Sequence, residues 1–122
     1  MLTFNLKKER FEKIKSGEKT HEYREVKPYW TIRIANACKD ELFKIAILDF
    51  GNDKTPFFMH ADFENICFRY GCLNNSDKEK MLFAKIKTLT LRTYGKNTDL
   101  KIDKPVFDIE FELIERGESD EQ

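Results

Sequence analysis

Apolar and polar residues alternate along several stretches of the chain, and this two-residue period is typical of strands with one buried face. The first stretch, residues 2–6, places Leu2, Phe4 and Leu6 on one face. The other alternating stretches are residues 20–26, 62–71, 81–95 and 106–115, the last being the most regular. We therefore predict five strands from the alternation alone.

The stretch 81–95 changes phase part-way along its length. Its apolar positions are even-numbered up to Ile86 and odd-numbered from Leu89 onwards. One extra residue in this strand explains such a shift, so we predict a β-bulge near Lys87 or Thr88.

Other segments follow a helical pattern. Phe11 and Ile14 lie at helical spacing, and Gly17 is a typical helix stop. Residues 28–37 predict a turn that leads into a second short helix. Residues 41–50 fit either a buried strand or a helix. Turn-forming residues predict loops at 51–56, 73–80 and 96–105.

Five or six strands with one or two short helices near the N-terminus predict an α+β, mainly β fold. Long, bent strands in a small domain favour a closed or half-closed barrel, because closure removes exposed strand edges. A length of 122 residues is typical of one domain, which we assign to residues 1–116. Residues 117–122 are acidic and polar, and we expect them to fray.

Composition excludes several classes of protein. The sequence has neither an apolar run of about 20 residues, as a membrane span requires, nor a signal-peptide pattern at its start. We expect a soluble cytoplasmic protein, with Cys38, Cys67 and Cys72 as reduced thiols. The cysteine spacing does not match a four-ligand zinc site, and we expect neither a metal nor a cofactor.

Charge is balanced overall but uneven along the chain. The 22 Lys and Arg residues equal the 22 Asp and Glu residues, whereas nucleic-acid-binding domains are usually basic. Residues 1–39, however, contain ten Lys or Arg against five Asp or Glu. This surplus predicts a local basic patch in the N-terminal third.

Residues 17–30, GEKTHEYREVKPYW, combine six charged side chains with two tyrosines and the only tryptophan. In a strand, Thr20, Glu22 and Arg24 share one face and Tyr23 lies on the other. Arg24 would bind phosphate or base edges, and Glu22 would accept hydrogen bonds from a base amino group. The alternative is a Glu22–Arg24 ion pair on a solvated sheet face.

The KPYW part of this segment adds flat rings and positive charge. Tyr29 and Trp30 lie in a predicted exposed turn, and with Tyr23 they would stack on bases at ~1–3 kcal/mol each. Lys19 and Lys27 would supply point charges for phosphate. Alternatively, Trp30 caps one end of the barrel, since tryptophan is highly buried on average.

A second segment, Arg69-Tyr70-Gly71, follows an apolar strand at a predicted barrel rim. The planar guanidinium of Arg69 suits phosphates or base edges, and Tyr70 adds a ring beside it. In the alternative interpretation, Arg69 pairs with Glu22 or Glu64 and orders the rim.

Catalytic motifs are scarce in this sequence. It contains no G-x-S-x-G, H-E-x-x-H or P-loop pattern. A nucleophile–base pair would combine Cys67 or Cys72 with His21 or His60, although Cys67 alternates with core residues. Lys19 with Glu22 would serve as base and acid in amide or ester hydrolysis if burial shifts their pKa values.

The segment NLKKERFEKIKSGEKTHEYREVKPYW resembles the opening of ASCH-domain proteins, which share the PUA fold. The ASCH pattern is a short helix, then G-x-K-T and a strand with an arginine, matched here by Gly17, Lys19, Thr20 and Arg24. With E-Y-R and K-P-Y-W, the segment is similar to a small bacterial and phage-type branch. That branch has F-R-N-G-Y downstream, where this chain has FRYGC at residues 68–72.

The resemblance implies a PUA-like β-barrel with a cleft beside the helix and a proposed role in RNA binding. Some short ASCH proteins are acetylcytidine amidohydrolases that use a lysine, a threonine and a glutamate. Their lysine corresponds to Lys19, but Glu22 occupies the position of their threonine. We therefore treat Lys19 and Glu22 only as weak catalytic candidates.

The sequence thus predicts a PUA-like domain that binds RNA or a nucleotide in a cationic and aromatic cleft. We expect no membrane contact and a monomer. The alternatives are an amidohydrolase acting on a modified nucleoside and a protein-interaction module. The candidate ligand-binding residues are Lys19, Thr20, Glu22, Tyr23, Arg24, Lys27, Tyr29, Trp30, Arg69 and Tyr70.

Overall fold

A computed structural model describes residues 1–53, 56–71 and 78–114. This part of the chain contains six strands and three α-helices, and a 3₁₀ turn (Lys78–Lys80) precedes the fifth strand. In chain order the elements are β1 (Leu2–Asn5), α1 (Lys8–Lys15), β2 (His21–Glu25), α2 (Pro28–Ala37), α3 (Glu41–Asp53), β3 (Phe57–Met59), β4 (Ile66–Arg69), β5 (Met81–Arg92) and β6 (Val106–Ile114).

The strands form one curled mixed sheet, a half-barrel, in the order β1-β4-β5-β6-β2. Strands β1 and β4 pair in parallel, and the other pairs are antiparallel. Strand β3 pairs with the second half of β5, beyond the part that pairs with β4. The half-closed barrel expected from the long strands is confirmed, and β1 and β2 are the edge strands at the two ends of this order.

The predicted bulge in β5 is confirmed. The pairing of β5 with β6 shifts register between Ile86 and Thr88. A bulge increases local twist, so β5 can bend enough to pair with β4 at one end and with β3 at the other.

Helices α1 and α2 lie where the sequence predicts helices. Gly17 follows α1 with φ of 86°, a left-handed conformation that glycine adopts without steric cost. Helix α2 begins at Pro28, so the predicted exposed turn is wrong and Tyr29 and Trp30 lie in a first helical turn. Proline favours this position because its fixed φ suits a helix start.

The ambiguous segment from residue 41 is a third helix, α3, which continues through residue 53. The Asp40 carboxylate accepts hydrogen bonds from the backbone N–H groups of Leu42 (3.0 Å) and Phe43 (3.4 Å), an N-terminal cap. Ile47 and Phe50 are buried on one side of α3. The aspartate before this apolar segment is the sequence signal that favours the helix.

The core lies on the concave side of the half-barrel and is rich in phenylalanine. Leu2, Phe4 and Leu6 are buried, as the alternation predicts. Phe68 contacts Phe4 and Phe111, with ring centroids 5.7 and 4.7 Å apart. Such ring contacts contribute beyond their buried area, and they join β1, β4 and β6 across the curl.

Several predicted boundaries differ from the structure. The strand predicted over 62–71 is shorter, because Phe63 makes only an isolated bridge to Cys38. The strand predicted over 81–95 ends at Arg92. The expected loop residues 54–55 and 73–77, Cys72 and the expected frayed tail 117–122 lie outside the described residues.

Candidate functional site

The sheet divides the charged and aromatic segment 17–30 between its two faces. Glu22 and Arg24 are opposite Ile109 and Phe107 of β6 and share their concave face. His21 and Tyr23 lie on the convex face. The strand period predicted from the sequence is therefore confirmed, and the predicted ligand-binding residues form separate groups rather than one.

Glu22 and Arg24 form an ion pair inside the half-barrel. Arg24 donates a hydrogen bond from Nη2 to Glu22 Oε2 at 2.6 Å, and the Glu22 side chain has no solvent exposure. Lys19 Nζ lies 3.4 Å from the other Glu22 oxygen and 2.6 Å from Asp99 Oδ2. The ion pair predicted as an alternative exists, but in the interior rather than on a solvated face.

Two polar atoms of this ion pair are buried without a hydrogen-bond partner among the described residues. They are Glu22 Oε1 and Arg24 Nε. The 3.4 Å approach of Lys19 to Glu22 Oε1 is thus an ion pair without good hydrogen-bond geometry. Burial without complete hydrogen bonding is costly, so this network is a poor source of stability.

The rings of Trp30 and Phe4 pack against the guanidinium of Arg24. Arg24 Cζ lies 4.7 Å from the Trp30 ring centroid and 4.9 Å from that of Phe4. The two rings stack on each other at 5.1 Å. Because Phe4 belongs to β1 and Arg24 to β2, this cluster links the two edges of the sheet. Its close packing favours the structural interpretation of Trp30.

Tyr29, Arg33 and Arg69 line an open groove of about 350 Å³, which we call the arginine groove. Arg33 Cζ lies 3.5 Å from the centroid of the Tyr29 ring, yet 55% of Tyr29 remains exposed. Arg69 Nε donates to Asn5 Oδ1 at 2.7 Å, and among the described residues its two outer nitrogens have no other hydrogen-bond partner. The groove therefore combines an exposed ring with two planar cations.

Asn5 and Arg33 complete the arginine groove and are absent from the predicted site. The Tyr29–Arg33 spacing of four residues on a helix places both side chains on one face. That spacing would have identified Arg33. Asn5 has no comparable sequence signal, because it reaches Arg69 through the parallel pairing of β1 with β4.

A second groove, of about 390 Å³, is lined by Lys19, Thr20 and Tyr23 together with Lys13, Glu18 and Asp99. We call it the lysine groove. Its two lysines are balanced by its two carboxylates, whereas the arginine groove has two arginines and one glutamate, Glu64. Phosphate should therefore prefer the arginine groove.

The two grooves are joined by a chain of side-chain contacts. Lys19 in the lysine groove contacts Glu22, which pairs with Arg24. Arg24 packs on Trp30, whose ring meets that of Tyr29 at 5.0 Å in an edge-to-face contact. The grooves therefore lie on either side of the buried ion pair.

Lys27 and Tyr70 belong to neither groove. Lys27 is mostly exposed and lies 3.9 Å from Glu25. The Tyr70 ring packs on Phe11 of α1, with centroids 4.6 Å apart. Arg69 and Tyr70 thus point to different surroundings although they are adjacent.

A second buried carboxylate, Asp108, lies on the convex side of the sheet. It accepts a hydrogen bond from Arg92 Nε at 2.8 Å, forms an ion pair with Arg92 Nη2, also at 2.8 Å, and lies 2.7 Å from His21 Nδ1. An ionised carboxylate only accepts hydrogen bonds, so this contact fits the His21 tautomer that has its proton on Nδ1. Burial, and then the charge of Asp108, raises the pKa of Tyr23 beside it.

The two described cysteines, Cys38 and Cys67, are buried thiols. Cys67 is buried in β4, and Cys38 is buried at the end of α2. Desolvation raises the pKa of the Cys38 thiol, which disfavours the reactive thiolate. In the described part of the chain, His21 faces Asp108 and His60 packs against Phe58.

Comparison with protein-family models, with curated proteins and with solved structures finds no match to this chain. In the described ranges, no helix is both long and apolar enough to cross a membrane. No group of three or more His, Cys, Asp or Glu residues there is arranged to hold a metal ion.

Proposed function

We propose that this protein binds RNA or a nucleotide, with the arginine groove as its principal site. The observation that carries the proposal is that Arg33 packs on the exposed ring of Tyr29 and that Arg69 lines the same groove. Arginine forks suit phosphate oxygens, and an exposed tyrosine face suits a base. One nucleotide presents both groups close together.

The other predicted residues support this groove indirectly. The packing of Trp30 against Arg24 and Phe4 holds the start of α2 against β1 and β2. Tyr29 is the neighbour of Trp30, and Arg33 is one helical turn further on. Trp30 and Arg24 are therefore positioning residues in this proposal, and they need not contact the ligand.

The resemblance to ASCH domains adds a separate line of support. The G-x-K-T residues and Arg24 match the pattern of a family with a proposed role in RNA binding. In this proposal the PUA-like fold assignment and the assignment of RNA binding depend on each other, because both derive from the same N-terminal segment.

The proposal is tested by titrating a labelled single-stranded RNA of about ten nucleotides at several salt concentrations. Loss of one phosphate contact lowers the salt dependence by about one unit of log K against log[salt]. We expect this effect for Arg69→Ala and for Arg33→Ala. Lys96→Ala is the matched control, since Lys96 is exposed, pairs with Asp103 and lies outside the groove.

Equal binding by the parent and by an Arg33→Ala, Arg69→Ala double variant would overturn the proposed groove. Equal weakening by Lys96→Ala would show that binding depends on overall charge rather than on this groove.

An amidohydrolase is the second candidate function, favoured by the 3.4 Å approach of Lys19 to Glu22 beside the lysine groove. Hydrolysis of acetylcytidine, followed by chromatography of released cytidine, tests it. Turnover that Lys19→Ala abolishes and Lys13→Ala preserves would establish it. No turnover by the parent would exclude this substrate.

A further inference from the structure

The convex face of the sheet carries one row of residues that crosses four strands. Phe58 of β3 is opposite Thr90 of β5, Thr90 is opposite Asp108 of β6, and Asp108 is opposite Tyr23 of β2. Directly paired residues share a face of a sheet. Two aromatic side chains therefore lie three strand spacings apart, roughly 14 Å, on one surface.

Phe58 is a largely exposed aromatic side chain and is not part of the core. It is 66% exposed, and Tyr94, which lines the same open groove, is 60% exposed. The groove has a volume of about 400 Å³ and Arg92 is its charged lining residue. Aromatic rings and arginine guanidinium groups are the side chains on which unpaired bases stack. This groove presents two exposed rings and one guanidinium.

Arg92 lies beside the middle of the row, where Asp108 fixes its position. Asp108 holds Arg92 through two of its nitrogens and holds His21 on its other oxygen. The His21 and Tyr23 rings are nearly parallel, with an interplanar angle of 11° and centroids 6.1 Å apart. The row thus runs from Phe58 and Tyr94, past Arg92, to a second pair of rings.

Charge on this face neither attracts nor repels a phosphate chain strongly. Three of its carboxylates are matched by cations, with Asp108 against Arg92, Glu25 against Lys27 and Glu112 against Lys85. The fourth, Glu110, accepts a hydrogen bond from Thr88 and lies 4.0 Å from His21 Nε2. Contacts here would depend on ring faces rather than on net charge. That property separates this surface from the arginine groove.

We propose that this row, which we call the sheet platform, binds successive unpaired bases of single-stranded RNA. The platform rests on the proposed function, because it extends RNA contact beyond the arginine groove. Stacking accepts any base, so the platform adds affinity without base preference. It also requires a strand long enough to reach both surfaces.

The test compares a single nucleotide with a single-stranded RNA of about ten nucleotides, using the parent, Phe58→Ala and Tyr94→Ala. We expect each variant to bind the long RNA at least about fivefold more weakly, with an unchanged salt dependence and unchanged affinity for the single nucleotide. Phe58→Tyr should restore binding. The matched control is Leu42→Ala, which removes a 79% exposed apolar side chain from α3.

Photochemical crosslinking of bound RNA, mapped by mass spectrometry, gives an independent measurement. Crosslinks at Phe58 or Tyr94 support the platform. Parent-like binding by a Phe58→Ala, Tyr94→Ala double variant overturns the platform alone if Arg69→Ala still weakens binding. The reverse pattern overturns the arginine groove alone. No RNA binding by the parent, or capture of a protein through Phe58 instead, overturns the platform.

Discussion

Glu22 and Arg24 form a 2.6 Å hydrogen-bonded ion pair on the concave side of a half-barrel, where Glu22 has no solvent exposure. Both residues belong to the edge strand β2, where they are two positions apart. Their pairing explains how a strongly charged segment enters the interior. It also explains why Trp30, which covers Arg24, packs inward although it follows a proline and a lysine.

Removing one member of this pair should destabilise the fold. Glu22→Ala leaves the partly buried Arg24 guanidinium without its partner, so we expect the free energy of unfolding to fall by about 3–5 kcal/mol. Urea denaturation monitored by tryptophan fluorescence measures it. Glu12→Ala on the exposed side of α1 is the control, expected to change stability by less than about 0.5 kcal/mol. A loss under about 1 kcal/mol would mean that water reaches Arg24.

Tyr29 and Trp30 should separate ligand binding from stability. Trp30→Ala opens a cavity beside Phe4 and Arg24, and we expect a loss of about 2–4 kcal/mol in unfolding free energy. Tyr29→Ala should cost less than about 1 kcal/mol and weaken RNA binding by about 1–3 kcal/mol. Denaturation and RNA titration of both variants are the measurements. If Trp30→Ala instead weakens RNA binding and Tyr29→Ala lowers the unfolding free energy, Trp30 is the ring that stacks on the ligand.

Gly95 lies too close to β6 for any larger residue. A Cβ added there would lie 2.6 Å from Val106 Cγ1 and 3.2 Å from the Ile102 carbonyl oxygen. We expect Gly95→Ala to cost about 1–3 kcal/mol, typical of overpacking. Thermal unfolding of this variant beside Asn97→Ala, an exposed residue of the same segment, checks it. Equal melting temperatures would contradict the close approach.

Tyr23 predicts a stability change at alkaline pH. Burial raises its pKa above the ordinary 10.0, so the folded protein keeps the proton longer than the unfolded chain does. The contribution is complete below about pH 10 and is lost as pH rises through the folded pKa. From pH 8 to pH 11, the unfolding free energy should therefore fall less for Tyr23→Phe than for the parent. An identical fall would show that Tyr23 does not titrate differently on folding.

Local patterns were sufficient for much of the architecture. Alternation predicts β1, β5 and β6, because side chains of a strand point to opposite faces whatever the rest of the fold is. The phase change after Ile86 predicts the bulge for the same reason. Gly17 marks the end of α1, since a left-handed residue ends a helix. The apolar pattern alone left the helix from residue 41 ambiguous, because short apolar segments suit both states.

The candidate site was less accessible to sequence reasoning. Spacing placed Glu22 and Arg24 together and opposite to Tyr23, but it did not say which face was buried. Only the pairing of β2 with β6 decides that question. The meeting of Arg69 with Asn5 depends on parallel pairing of β1 with β4, across more than sixty residues of chain.

The sequence by itself determined the strand periods, the bulge, the first two helices and the presence of cations and rings in one segment. These features depend on contacts between near neighbours in the chain. The tertiary structure alone decided that Arg24 pairs inside the barrel, that Tyr29 joins Arg33 and Arg69, and that Phe58 and Tyr23 share one row. Those relationships depend on strand order and register, which distant segments set together.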